Sequence, residues 1–130
     1  AVEGALKSKE ISYIHSEAFA SGELKHGTIA LITDGVPVVV NVTQSDLFEK
    51  SVSNIKEVTS RGAYVIAIAK EGNTVVEEVA DEVFYIPNVE DDYAGFPTIV
   101  IHQLLAYYLS KLKGNDVDKP RNLAKSVTVE

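Results

Sequence analysis

Three stretches of the chain carry side chains of the right type and spacing to do chemistry. In ALKSKE, Lys7 and Glu10 are three residues apart, which on a helix places an ammonium and a carboxylate on one face. A carboxylate held on a rigid helix can take a proton from a substrate carbon and return it to the next one. The plainer reading of the same pair is a surface ion pair, worth about 0.3 kcal/mol. In SGELKHG, His26 follows Glu23 by the same interval and precedes Gly27. It reads either as an acid–base histidine or as a helix-end histidine favoured by the dipole. The closing PRNLAKSVTVE places Lys125 beyond Pro120 in a chain that is acidic elsewhere. A lysine amine is a nucleophile toward carbonyl carbons, and a charged tail lysine also serves solubility.

Several other chemistries are excluded. Twelve basic against 19 acidic residues leave a net charge of −7, the wrong sign for a protein whose main task is to bind a nucleic-acid backbone. A small anionic substrate held by a few local cations remains open. The absence of cysteine removes disulfides, thiolate zinc sites and thiol nucleophiles. The eight glycines form neither GxGxxG nor GxxxxGK[ST], so the familiar cofactor and nucleotide loops of α/β proteins are missing. His15, His26 and His102 lack metal-ligand spacing, and His102 lies in an apolar helix as a core or interface residue. No cofactor and no metal are expected. Glu90, Asp91 and Asp92 read as a solvated loop, and Asn115, Asp116 and Asp118 lack the glycine and distal glutamate of a calcium loop. No apolar run approaches the roughly 20 residues of a membrane span, and no signal peptide is visible. The cytoplasm is therefore the expected location.

The elements that must position these groups follow from the hydrophobic pattern. Forty-five per cent apolar and 24% charged residues over 130 positions describe one globular domain with a real core. The spacing predicts a helix over 1–12, with Val2, Ala5 and Leu6 on one side, and a short strand over 13–20. SGELKHG reads as a helical turn closed by Gly27. PVVVNVT (37–43), AYVIAIA (63–69) and VFYIP (83–87) are apolar, β-branched runs of the kind found in strands buried on both faces. Residues 45–61 form an amphipathic helix that Ser45 can cap, with Phe48, Val52 and Ile55 on one face and Gly62 as its stop. TVVEEVAD is a short helical turn. A last helix runs from Pro97 to Gly114 and is apolar almost all round, through Val100, Ile101, Leu104, Leu105, Tyr108, Leu109 and Leu112, with Lys111 and Lys113 at its end. Strands alternating with helices imply a parallel sheet covered on both sides, an α/β/α sandwich. TQSD (43–46) sits where a strand meets a helix N-terminus, the usual place for a phosphate. It lacks glycine, and Asp46 would repel an anion, so it reads as an ordinary helix cap.

The wording of the ends is more specific than any spacing. EGALKSKEISYIHSEAFASGELKHGTIALI together with DKPRNLAKSVTVE resembles the C-terminal part of the glucosamine-6-phosphate synthase family, the isomerising glutamine:fructose-6-phosphate aminotransferases. The likeness covers nearly the whole chain and is looser from about 36 to 98. Thr28 stands where the family usually has proline after HG.

The resemblance implies a second sugar isomerase (SIS) subdomain over 1–114, with a flavodoxin-like three-layer α/β/α sandwich entered at its first helix. Residues 115–130 become a C-terminal tail that closes over the active site. It implies that Glu10 shuttles the proton between C1 and C2 of the sugar, with Lys7 beside it. His26 opens the sugar ring and is donated by the neighbouring subunit of a dimer. Lys125 holds the open-chain ketose as a Schiff base, and Ala124 and Lys125 help to enclose the sugar. Fructose 6-phosphate and glucosamine 6-phosphate are the implied ligands. An upstream SIS subdomain carrying the phosphate loop, with TQSD as its degenerate counterpart, and a glutaminase domain are the implied partners. On that basis the piece alone is expected to be inactive. A non-catalytic SIS module that binds a sugar phosphate for regulation is the alternative, and a structural dimerisation domain is the third.

Overall fold

The computed structural model describes residues 1–121. Three α-helices are present, α1 (Val2–Lys7), α2 (Phe48–Thr59) and α3 (Gly95–Leu112), with three strands, β1 (Pro37–Val42), β2 (Tyr64–Lys70) and β3 (Glu82–Ile86). The described residues make two compact units: Ala1 with Phe19–Ile101, and Val2–Ala18 with 102–121.

The first unit is built on a parallel sheet in the order β1-β2-β3, with Val40 opposite Ala67 and Ala67 opposite Val83. In β2 the side chains alternate between two faces. Val65, Ala67 and Ala69 point into one cluster with Val42, Ile55, Val58 and Val76. Ile68 points into another with Ile86 and Ala94, against which Val89 and Ile101 pack. Helix α2 therefore covers one face and the start of α3 the other, which is the three-layer α/β/α arrangement expected. Burying Ile55 and Ile68, both fully inaccessible, contributes about 1.5–3 kcal/mol each. Ser51, Ile55 and Val58 form the buried stripe of α2 at helical spacing. Gly62 closes the helix at φ 87°, and a side chain there would bring its Cβ within 2.9 Å of Asp34 Cα. Both the turn and the close approach require glycine.

The strands differ in burial more than their composition predicts. Only β2 is covered on both faces; β1 and β3 alternate between exposed and half-buried, ending in buried Val42 and Ile86. Each of them has a single paired neighbour in this sheet. Apolar composition reports what a strand can bury, and its neighbours decide how much it does.

The second unit joins α1, a π-helical turn over Ser8–Ser12, and the C-terminal half of α3. Gly4 is buried against the His102 ring: a Cβ there would sit 2.4 Å from Nδ1, so glycine alone allows the approach. Burial holds the His102 pKa below the ordinary histidine value, leaving the ring neutral at pH 7. The expected strand over 13–20 is absent. Ile14, Ser16 and Ala18 are half-buried while His15, Glu17 and Phe19 are exposed, so the period of two is real. It reflects an extended segment lying on a surface, without a partner strand to make a ladder.

Helix α3 starts at Gly95, two residues before Pro97. Pro97 is tolerated because N–H groups of a first turn have no partner within the helix. Thr98, His102, Ala106 and Ser110 are its buried positions, spaced four apart and mostly small or polar. Several large apolar side chains face outward instead, with Phe96 73% and Leu112 85% exposed. None of the helices among the described residues is long and apolar enough to cross a membrane.

Candidate functional site

Glu10 is presented by the π-helical turn that extends α1. Its wider winding is a recurrent feature of functional sites. The Ser12 hydroxyl, fully buried, donates to the Ser8 carbonyl at 2.6 Å and steadies the turn from inside. The Lys7 ammonium donates to Glu10 Oε2 at 2.6 Å and lies 3.4 Å from Glu3 Oε1. The side chains of Lys7 and Glu10 are 31% and 25% exposed, partly shielded but open to a ligand. The hydrogen bond from Lys7 to Glu10, with the charge of both carboxylates, raises the Lys7 pKa against the effect of desolvation. Lys7 is thus firmly an ammonium at neutral pH. Its charged form is the one that donates to Glu10.

His26 ends the 3₁₀ turn Ser21–His26 and is exposed; Gly27, at φ 142°, closes the turn. Thr28 begins the next 3₁₀ turn, Thr28–Leu31, and its hydroxyl reaches back to the Leu24 carbonyl at 3.4 Å. A threonine here thus ties the turn with a side-chain bond of its own. The fold brings Lys7 and Glu10 together in the second unit and places His26 in the first. Lys125 and Ala124 lie outside the described residues.

One polar cluster escaped the sequence patterns. The Asp91 carboxylate accepts the backbone N–H of Ser45 at 2.7 Å and the Ser45 hydroxyl at 3.0 Å, and pairs with the Lys70 ammonium. Two expectations are corrected here. Ser45 does not cap α2: residues 45–47 form a 3₁₀ turn, α2 begins at Phe48, and the hydroxyl is committed to Asp91. The acidic run is not simply a solvated loop, because Asp91 bridges the turn after β1 to Lys70, the last residue of β2. The only hint in the sequence was a lysine closing a strand, and its acidic partner is 21 residues away.

Those bonds, Lys70 first, hold the Asp91 pKa down from 3.8 to about 2. A carboxyl whose pKa falls on folding contributes stability that is present above its unfolded pKa and lost as pH drops through the folded one. Asp91→Asn keeps the shape and removes the charge. It is expected to lower the urea midpoint at pH 7 and to flatten the fall in stability between pH 3.8 and about 2. An unchanged midpoint at pH 7 would show that the bridge carries no stability. Among the described residues no group of three or more histidine, aspartate and glutamate side chains is arranged to hold a metal ion.

Comparison with known proteins extends this geometry. The chain is 65% identical over all 130 residues to the isomerizing glutamine–fructose-6-phosphate aminotransferase of Clostridium acetobutylicum, and spans 21% of that protein. The solved C-terminal domain of glucosamine-fructose-6-phosphate aminotransferase from Francisella tularensis is 40% identical, with a TM-score of 0.81 over 91% of this chain and 33% of its own. Glucosamine-6-phosphate deaminase from Thermotoga maritima is 31% identical, with a TM-score of 0.76 over 97% of this chain and 35% of its own. The chain thus spans about a fifth of the curated relative and is homologous to the C-terminal isomerase part of such enzymes. The SIS domain model matches residues 1–112. With its parallel sheet layered between helices and this match over most of its length, the chain belongs to the SIS domain family.

Proposed function

We propose that residues 1–114 are the second SIS subdomain, and 115–130 the tail, of a cytoplasmic enzyme that makes glucosamine 6-phosphate from fructose 6-phosphate and glutamine-derived ammonia. The observation that carries this reading is the Lys7–Glu10 pair, with its carboxylate fixed on the π-helical turn. Turning a ketose imine into an aldose amine requires a base that removes a proton from C1 and returns it to C2. One carboxylate on one face of the sugar can do both without changing place. As an ion pair alone, a half-exposed Lys7–Glu10 contact contributes about 0.5 kcal/mol, too little to account for the π-turn and its internal hydrogen bonding. A module that only binds sugar phosphate has no need of a carboxylate held in this way.

In this reading His26 opens the sugar ring in a neighbouring subunit's site, and Lys125 and Ala124 hold and enclose the open-chain sugar. The phosphate is held elsewhere: Asp91 occupies the N–H and hydroxyl of Ser45, where a phosphate would otherwise sit. The outward apolar face of α3, with Phe96, Val100, Leu104 and Leu112, suits burial against the upstream SIS subdomain, and the relatives are long enough to contain one.

The test is a paired assay for glucosamine 6-phosphate with fructose 6-phosphate and ammonia. The 130-residue chain alone is expected to form none, whereas the full-length protein containing it forms product. Product from the chain alone would overturn the division of the site between subdomains. Silence from the full-length protein, supplied with glutamine as well, would overturn the enzymatic reading.

A further inference from the structure

We infer that Tyr13 is a positioning residue for the reaction, joining the turn that bears Glu10 to the root of the C-terminal tail. This inference rests on the function proposed above. Tyr13 ends the π-helical turn in a left-handed conformation, φ 57° and ψ 30°, the only described non-glycine residue with positive φ. A bulky side chain adopts that conformation only where its surroundings hold it there.

The hold comes from residues 110–121. Helix ends leave carbonyls without partners, and here three groups meet them just after Glu10. The Ser110 hydroxyl donates to Ile11 O at 2.6 Å, and the Asn115 amide approaches the same oxygen at 3.5 Å. The Lys113 ammonium donates to Ser12 O at 2.8 Å, a cation placed where the helix dipole favours one. Tyr13 completes the set. Its hydroxyl accepts the Arg121 backbone N–H at 2.9 Å, and its ring carries the Arg121 guanidinium 3.9 Å from its centroid.

Every one of these contacts lies within three residues of Glu10 on one side and between Ser110 and Arg121 on the other. In the sequence Arg121 stands four positions before Lys125. Fastened at both its hydroxyl and its ring, Tyr13 ties the turn that presents the carboxylate base to Arg121. It need not touch the sugar itself.

The experiment is Tyr13→Phe in the full-length enzyme, alone and combined with Glu10→Gln. The phenylalanine keeps the ring under Arg121 and removes only the hydroxyl. A fall in kcat of about 10-fold or more is expected, with KM for fructose 6-phosphate changed less than twofold and the melting temperature unchanged. The double variant should be no slower than Glu10→Gln alone, because residues acting as a unit are not additive. An unchanged kcat, or a loss that tracks the melting temperature, would overturn the inference and reduce Tyr13 to a helix end. If Glu10→Gln itself keeps full turnover, the proposed function fails, and that result is separate from anything Tyr13→Phe shows.

Discussion

Glu10→Gln in the full-length enzyme is expected to lower glucosamine 6-phosphate formation by about 10²–10⁴-fold, the usual contribution of a positioned general base. Glutamine is nearly isosteric and still accepts the Lys7 hydrogen bond now seen at 2.6 Å, so the π-turn should survive. What disappears is the ability to take a proton. The loss should fall on kcat, because the carboxylate acts in the transition state and contributes little to holding the phosphate. Hydrolysis of glutamine, chemistry that none of the residues described here performs, should continue. Glu10→Asp gives a sharper control. It keeps the base but withdraws it by one methylene, and misplacement of about 1 Å can cost about 100-fold. Turnover by Glu10→Gln within a few fold of the parent would sink the assignment, and with it the meaning given to the Lys7 contact.

How much of this was legible in the sequence depended on the range of the interaction. Local spacing revealed Lys7 and Glu10 three apart, and the hydrogen bond is there. The β2 run reads as a buried strand and is mostly buried, Tyr64 excepted, because it has strands on both sides. The equally apolar β1 was read the same way and is half-exposed, since burial of an edge is decided by what lies beside it. The π-winding of Ser8–Ser12 left no mark in the pattern, because α and π turns differ by one residue per bond and use the same residue types. The Asp91 bridge was invisible for a different reason. Its partners, Ser45 and Lys70, lie 46 and 21 residues away, and nothing in the composition of an acidic loop says which of its carboxylates will be taken. Helix α3 is apolar almost all round in the sequence, which does not say which face is covered; the buried positions are Thr98, His102, Ala106 and Ser110, with His102 a core residue as expected. Gly4 and the His102 ring explain part of that choice, because close approach of two helices favours small groups at the contact.

Lys125→Arg is expected to abolish the covalent adduct trapped by borohydride with fructose 6-phosphate, and to lower turnover by at least about 100-fold. The sequence offers two lysines for the proposed chemistry, and the surroundings of Lys7 bear on its part in it. An unperturbed lysine, with a pKa near 10.4, is neutral only about once in 2,500 at pH 7. Lys7 is worse placed still, since Glu10 and Glu3 raise its pKa. It is the wrong residue to attack a carbonyl and the right one to orient a carboxylate. Lys125 carries no such requirement. For half of it to be a free amine near pH 7 its pKa must fall by about three units, about 4 kcal/mol, through desolvation and a neighbouring cation such as Arg121. In the proposed function the free amine adds to the C2 carbonyl of the open-chain sugar and expels water to form an imine. Ammonia then adds at C2 and expels the lysine amine, leaving a ketose imine that draws electrons from C1, so that Glu10 can remove the C1 proton and return it to C2. Arginine keeps the positive charge but stays protonated and forms no imine. Loss of both adduct and turnover therefore identifies Lys125 as the covalent handle. Turnover retained by Lys125→Arg would make it an electrostatic anchor, with the ketose imine formed directly from ammonia and the C2 carbonyl.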